Sequence, residues 1–281
     1  MSRNLDMLIT ALAPMIWGST YIVTTELLPA GHPLTVALLR ALPAGLLLLA
    51  LTRTLPSGIW WLRVAVLGAL NFSIFWYLLF VSAYRLPGGV AATVGAIQPL
   101  IVVVLQRFLL GGKLRPASVG IGVAGLAGVA LLVIGPKAAL DPVGIAAGLA
   151  GACSMAAGSV MTRKWRPPVS TLTFTAWQLT AGGLLLAPVA LLSEPMLTTL
   201  SLANVVGFLW LSLIGAALTY ILWFRGLSRL QPSTVAPLGF LSPLTAVVLG
   251  WSILGQSMTP LQILGAAIVL GSVWANQRLG S

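Results

Sequence analysis

Apolar stretches of membrane-spanning length recur from one end of this chain to the other, separated by short breaks that hold many of its prolines, glycines and arginines. A helix rising about 1.5 Å per residue needs about 20 mainly apolar residues to cross the hydrocarbon of a bilayer. Ten such runs can be placed, over residues 7–28, 33–51, 62–84, 87–110, 117–134, 142–161, 170–192, 204–226, 232–254 and 260–277. Each is continuously apolar, whereas a spanning β-strand would be about 10 residues of alternating polarity, so the expectation is an all-α polytopic membrane protein. Only 7% of the residues are charged, against roughly 25% in a soluble domain, and nothing is left over to form one. The possible cleavage site Ala11-Leu12-Ala13 comes too early and precedes Pro14, so the first run is read as a retained helix.

The net charge of +11 would suggest nucleic acid in a soluble protein. Here the basic residues sit between apolar runs, where they report orientation, and no nucleic-acid partner is expected. With the N-terminus in the cytoplasm, twelve face inward: Arg3, Arg53, Arg63, Arg107, Lys113, Arg115, Arg163, Lys164, Arg166, Arg225, Arg229 and Arg278. Only Arg85 and Lys137 face outward, so both termini of the ten-helix chain are expected in the cytoplasm of a bacterial inner membrane. The single cysteine, Cys153, lies in an apolar run and is read as a buried, inert thiol.

Shifting the chain by 144 positions superposes the fourth and fifth runs on the ninth and tenth. Between Arg85 and Pro116, twelve of 32 positions are identical, among them Arg85/Arg229, Gly95/Gly239, Pro99/Pro243, Gly111/Gly255 and Pro116/Pro260. An offset of 138 brings Leu34, Thr35 and Gly45 onto Leu172, Thr173 and Gly183, and an offset of 140 brings Gly18-Ser19 onto Gly158-Ser159. The repeat therefore covers five helices per half, residues 1–138 and 139–281. Because five is odd, the second half enters from the opposite side. Such inverted repeats give two near-equivalent packings, one open to each face, with a site near the midplane between the halves.

Trp17-Gly18-Ser19, the paired Pro99 and Pro243, and the Gly111 and Gly255 turns followed by Pro116 and Pro260 carry a family likeness. On these residues the chain resembles the drug/metabolite transporter superfamily, and within it the ten-helix exporters built of two EamA-type domains, over essentially its whole length. Its tryptophan-rich character is similar to that of the bacterial aromatic amino acid exporters, some of which also expel methyl viologen. The resemblance implies a broad carrier exporting aromatic and other neutral amino acids, with related metabolites or drugs such as methyl viologen as further substrates. Many members carry Gly-Glu after the fourth and ninth helices. Gly112 and Gln256 stand here in place of the Glu, so no role of that carboxylate carries over.

Pro99 and Pro243 fall at the middle of their runs. A mid-helix proline has no N–H and clashes with the carbonyl four residues back, here Gly95 and Gly239, so both carbonyls should lose their partners and both kinks should face the protein interior. The four residues are therefore candidate hinges. Gln98 and Ser242 stand beside them. Along the first helix, Thr10, Pro14, Trp17, Tyr21 and Thr24 form one stripe mixing rings and hydroxyls. Trp76 and Tyr220 match at offset 144, and Trp177 and Gln178 sit within the seventh helix. The candidate substrate-binding set is thus Trp17, Tyr21, Trp76, Gln98, Trp177, Gln178, Tyr220 and Ser242, whose rings suit flat or aromatic solutes. Arg40 is the only basic residue well inside a run. A charge within the membrane points by default to function, but reaching outward or pairing with Glu26 is an equally good reading, so Arg40 is not assigned to the site.

One His, two Asp, two Glu and one Cys cannot assemble a metal or hydrolytic centre at the midplane, so neither enzyme activity nor a cofactor is expected. Carboxylates only near the ends of the runs argue against a proton relay and for uncoupled transport by alternating access. An exporter driven by an ion gradient and a passive channel are the alternative readings.

Overall fold

The computed structural model describes residues 3–86, 91, 94–111, 116–133, 141–255 and 259–279, and among these the regular elements are all helical. Six helices are long and apolar enough to cross a membrane: α1 (Arg3–Leu27), α2 (Pro33–Thr52), α3 (Trp60–Arg85), α6 (Pro142–Trp165), α7 (Thr171–Ser193) and α8 (Leu202–Arg229). Four shorter ones are α4 (Gln98–Leu110), α5 (Pro116–Val133), α9 (Leu241–Leu254) and α10 (Pro260–Leu279), and a single helical turn spans Pro232–Val235.

The short helices α4 and α9 mark where the fourth and ninth runs depart from expectation. Each run is broken rather than kinked. A turn at Ala96–Ile97 precedes α4, and a 3-10 segment, Ala236–Phe240, precedes α9. Pro99 and Pro243 consequently stand in the first turn of a new helix. There the missing N–H forfeits no intrahelical bond. The Gly239 carbonyl is not stripped of a partner, because the tighter winding brings the Leu241 N–H onto it and onto Leu238. A third departure is Cys153, which is exposed on the outside of α6.

Two of the long helices contain π-helical segments, Ala69–Ser73 in α3 and Trp210–Leu218 in α8. Shifted by 144, the first falls inside the second. A π turn loosens the i→i−4 ladder and makes carbonyls available to other groups. Leu70 O accepts the Ser154 hydroxyl at 2.7 Å. Gly215 O accepts Arg40 Nη2 at 2.8 Å.

Contacts at the helix ends sort them into two faces. On one face Asp6 at the start of α1 meets Arg225 at the end of α8, the Trp177 indole donates to Thr54 O beyond α2, and Arg163 near the end of α6 donates to Ser228 O. On the other, Glu194 accepts the Leu34 and Thr35 N–H groups, Asn204 donates to Leu27 O, and Arg85 pairs with Asp141. We call these the terminal face, where the chain begins, and the far face.

The most extensive packing is between α2 and α7, followed by α3 with α6, α5 with α10 and α1 with α8. Each pair joins a helix of the first five to one of the last five. Exchanging the halves maps this arrangement onto itself, since α3–α6 becomes α8–α1 and α4–α6 becomes α9–α1, both of which also pack. The α2–α7 crossing shows the symmetry in detail. A Cβ on Gly45 would lie 2.4 Å from Thr180 N, and one on Gly183 would lie 2.8 Å from Leu42 Cα. Gly45 and Gly183 are repeat mates at offset 138, as are Leu42 and Thr180. Small residues let the two backbones touch where lipid supplies no hydrophobic drive between helices.

Candidate functional site

Between α1, α2, α3, α6, α8 and the two broken runs lies a cavity of about 90 Å³. Its wall is built by the helix interruptions. Gly95 and Pro99 enter from the fourth run and Gly239 and Pro243 from the ninth, with Gln98 and Ser242 beside the prolines. From α1 come Trp17, Thr20 and Tyr21, from α3 Trp76, and from α8 Tyr220 and Trp223.

The aromatic groups hold one another in place. The Trp17 ring centroid is 4.9 Å from Tyr220 and 5.1 Å from Trp223, and its indole N–H donates to Thr219 Oγ1 at 2.9 Å. The repeat mates Trp76 and Tyr220 meet across the halves, with Trp76 Nε1 3.3 Å from the Tyr220 hydroxyl. Tyr220 also packs on Phe72, centroids 4.6 Å apart, and on Phe224, and Phe224 packs in turn on Phe174. This aromatic layer separates the central cavity from a cleft of about 540 Å³ at the terminal face, lined by Arg163, Arg166, Ser170, Phe174 and Phe224 among others.

The cavity takes in Trp17, Tyr21, Trp76, Gln98, Tyr220 and Ser242 of the residues the sequence points to, but not Trp177 or Gln178. Trp177 belongs to the terminal-face end of α7, where it donates to Thr54 O at 2.6 Å and packs against Trp60. Gln178 is fully buried and accepts from Asn71 Nδ2 at 2.8 Å, tying α7 to the π segment of α3. The α1 stripe divides too. Thr10 and Thr24 return their hydroxyls to Asp6 O and Thr20 O of their own helix.

Trp223 and Arg40 are among the wall residues that sequence reasoning left out. Trp223 lies one turn beyond Tyr220, a spacing that could have pointed to it. Arg40 neither reaches outward nor pairs with Glu26. It is 2% exposed, lines the cavity, and places its guanidinium 4.5 Å from the Trp76 ring centroid. Burial in a low-dielectric wall makes that contact a strong cation–π interaction. The signal was its isolation, a lone charge mid-span with no acidic residue at comparable depth.

A profile of the EamA-like transporter family matches residues 5–134 and again residues 142–276. The chain belongs to that family. It is 46% identical to protein PecM of Dickeya dadantii over 93% of this chain and 88% of that one. It is 29% identical to the uncharacterized inner membrane transporter YedA of Escherichia coli K12, covering 92% and 86% of the two chains. It is 26% identical to a probable amino-acid metabolite efflux pump of Salmonella typhimurium, covering 98% and 95%. A protein of known crystal structure superposes with a TM-score of 0.83 over 99% of this chain and 98% of that chain. At 22% identity that likeness speaks for the fold. This member of the EamA-like family is thus a multi-pass inner-membrane transporter rather than an enzyme.

Proposed function

We propose that this EamA-family transporter exports neutral amino acids, aromatic ones foremost, by alternating access at the cavity between its halves. The observation that carries this reading is the cavity itself, a ring-lined space at paired helix breaks where two symmetry-related sets of helices meet. Rings on the wall stack on a flat side chain, and helix breaks at the midplane supply backbone groups for a polar head. The efflux-pump name of the Salmonella relative supports the substrate class. The arginine and lysine bias assigns the terminal face to the cytoplasm, so the aromatic layer around Tyr220 and Phe224 is the barrier on the cytoplasmic side.

The transport cycle is uncoupled from protons in this reading. Asp6, Glu26, Asp141 and Glu194 all lie at helix ends, and His32 precedes α2, so none can carry a proton between the faces. Counterflow in proteoliposomes preloaded with phenylalanine tests the proposal. Saturable exchange, with no accumulation under an imposed pH gradient alone, is the expected result. Uphill accumulation driven by that gradient would refute the uncoupled cycle, and single-channel conductance would refute the carrier.

A further inference from the structure

Arg40 contributes a positive charge to the cavity wall that the protein does not neutralise. The chain has four acidic side chains in all, and each is placed elsewhere. Asp6 pairs with Arg225 and Arg229, and Asp141 with Arg85. Glu194 accepts the first backbone N–H groups of α2, and Glu26 is exposed and accepts from Thr25. Of the guanidinium nitrogens, Nη2 donates to Gly215 O, while Nε and Nη1 are buried without a hydrogen-bond partner.

Most of the unmatched atoms around the cavity are donors. Besides Arg40 Nε and Nη1, the buried wall atoms without partners among the described residues are Trp223 Nε1, a donor only, and Ser82 Oγ, which can donate or accept. The helix α4 begins at this wall, at Gln98, so the positive end of its macrodipole adds to the guanidinium field. A buried, unpaired charge and unmade donors are costly states, and a ligand that supplies acceptors and negative charge relieves both. A ligand bringing a second positive charge adds repulsion instead.

We propose that Arg40 is the anion-recognising residue of the cavity, and that the site takes aromatic solutes through a carboxylate, with the ammonium group of an amino acid dispensable. Arg40 is held by Gly215 O on one side and the Trp76 face on the other, leaving Nε and Nη1, on opposite edges of the guanidinium, each able to donate to the carboxylate. The Trp17, Trp76 and Tyr220 rings take the aromatic body. This deepens the amino-acid reading and rests on the same cavity. It also reverses one expectation of the family likeness, because a dication such as methyl viologen is disfavoured here.

The test compares four probes on the purified full-length carrier, by tryptophan-fluorescence binding and by counterflow. They are phenylalanine, phenylpyruvate (the carboxylate without the ammonium), phenylalanine amide (the ammonium without the carboxylate) and methyl viologen. Phenylpyruvate is expected to bind at least as tightly as phenylalanine, and the amide and methyl viologen at least about tenfold more weakly, as the loss of a charge-assisted hydrogen bond implies. In Arg40→Gln, which removes the charge and keeps a polar amide, the acid-over-amide preference collapses. Arg40→Lys retains part of it and serves as the second, charge-conserving variant. Equal binding of phenylalanine and its amide by the native protein would overturn the proposal, as would an undiminished preference in a folded Arg40→Gln. Carboxylate-selective binding without flux would leave Arg40's role standing and remove the transport reading. Saturable phenylalanine flux indifferent to Arg40 would do the reverse.

Discussion

The α2–α7 crossing offers the sharpest test of the packing, because there a single methyl group has nowhere to go. In Gly45→Ala the new Cβ would stand 2.4 Å from Thr180 N and 2.7 Å from the Leu179 carbonyl carbon, both backbone atoms that no rotamer change can move. Ordinary contact begins near 3.4 Å, so the helices must part by about 1 Å at their closest point. Overpacking of this kind costs about 1–3 kcal/mol. The backbone obstruction places this case near the top of that range, while alanine's better helix propensity returns about 1 kcal/mol. The net expectation is a loss of about 1–2 kcal/mol for Gly45→Ala, and a similar loss for its mate Gly183→Ala. The double variant should lose less than the sum, since one separation relieves both contacts. Gly271→Ala in α10 is the control, for its Cβ would meet nothing within 4 Å, and it should melt at or above the parent temperature. Fluorescence-detected melting of the detergent-solubilised protein reads all four. Gly45→Ala as stable as Gly271→Ala would refute the close backbone approach and the two-fold crossing built on it.

Four further outcomes are expected. In a background with the exposed Cys153 replaced, a cysteine at Gly31 should react with an impermeant thiol reagent from outside, and one at Ala117 only after permeabilisation; the opposite pattern would invert the topology. Asp6→Asn should lower the melting temperature, since hydrogen bonds to charged groups contribute about 1.5–3 kcal/mol and the Asp6 side chain is only 10% exposed beside Arg225. Asp141→Asn, on an ion pair whose side chains are 49% and 34% exposed, should change it little. Pro99→Ala and Pro243→Ala should leave the protein folded but let α4 and α9 extend backwards across the breaks, and counterflow rates should fall; unchanged kinetics in both would separate the breaks from transport.

Much of the architecture was legible in the chain because it follows from rules that act on a segment by itself. Length and apolarity decide whether a helix can span, and the placement of arginine and lysine supplies the expected orientation. The recurrence of Pro99 at Pro243 and of Gly45 at Gly183 registers the five-helix repeat without knowledge of any contact. The same marks did not reveal what they do. Whether a mid-run proline kinks a helix or begins a new one depends on whether neighbouring turns can supply the backbone bonds, as the 3-10 winding before α9 does.

Tertiary structure decided which polar and aromatic side chains face one another, because that depends on how each helix is rotated and crossed against its partners. Trp177 and Gln178 looked equivalent to Trp76 and Tyr220 along the sequence, yet the tight α2–α7 crossing turns them toward Thr54 and Asn71, away from the cavity. The partner of Arg40 was equally out of reach of spacing arguments. It is a carbonyl 175 positions away, in a π segment that no residue pattern announces. Only the folded chain shows that all four acidic side chains are engaged elsewhere, which leaves a buried guanidinium facing the cavity with donors to spare.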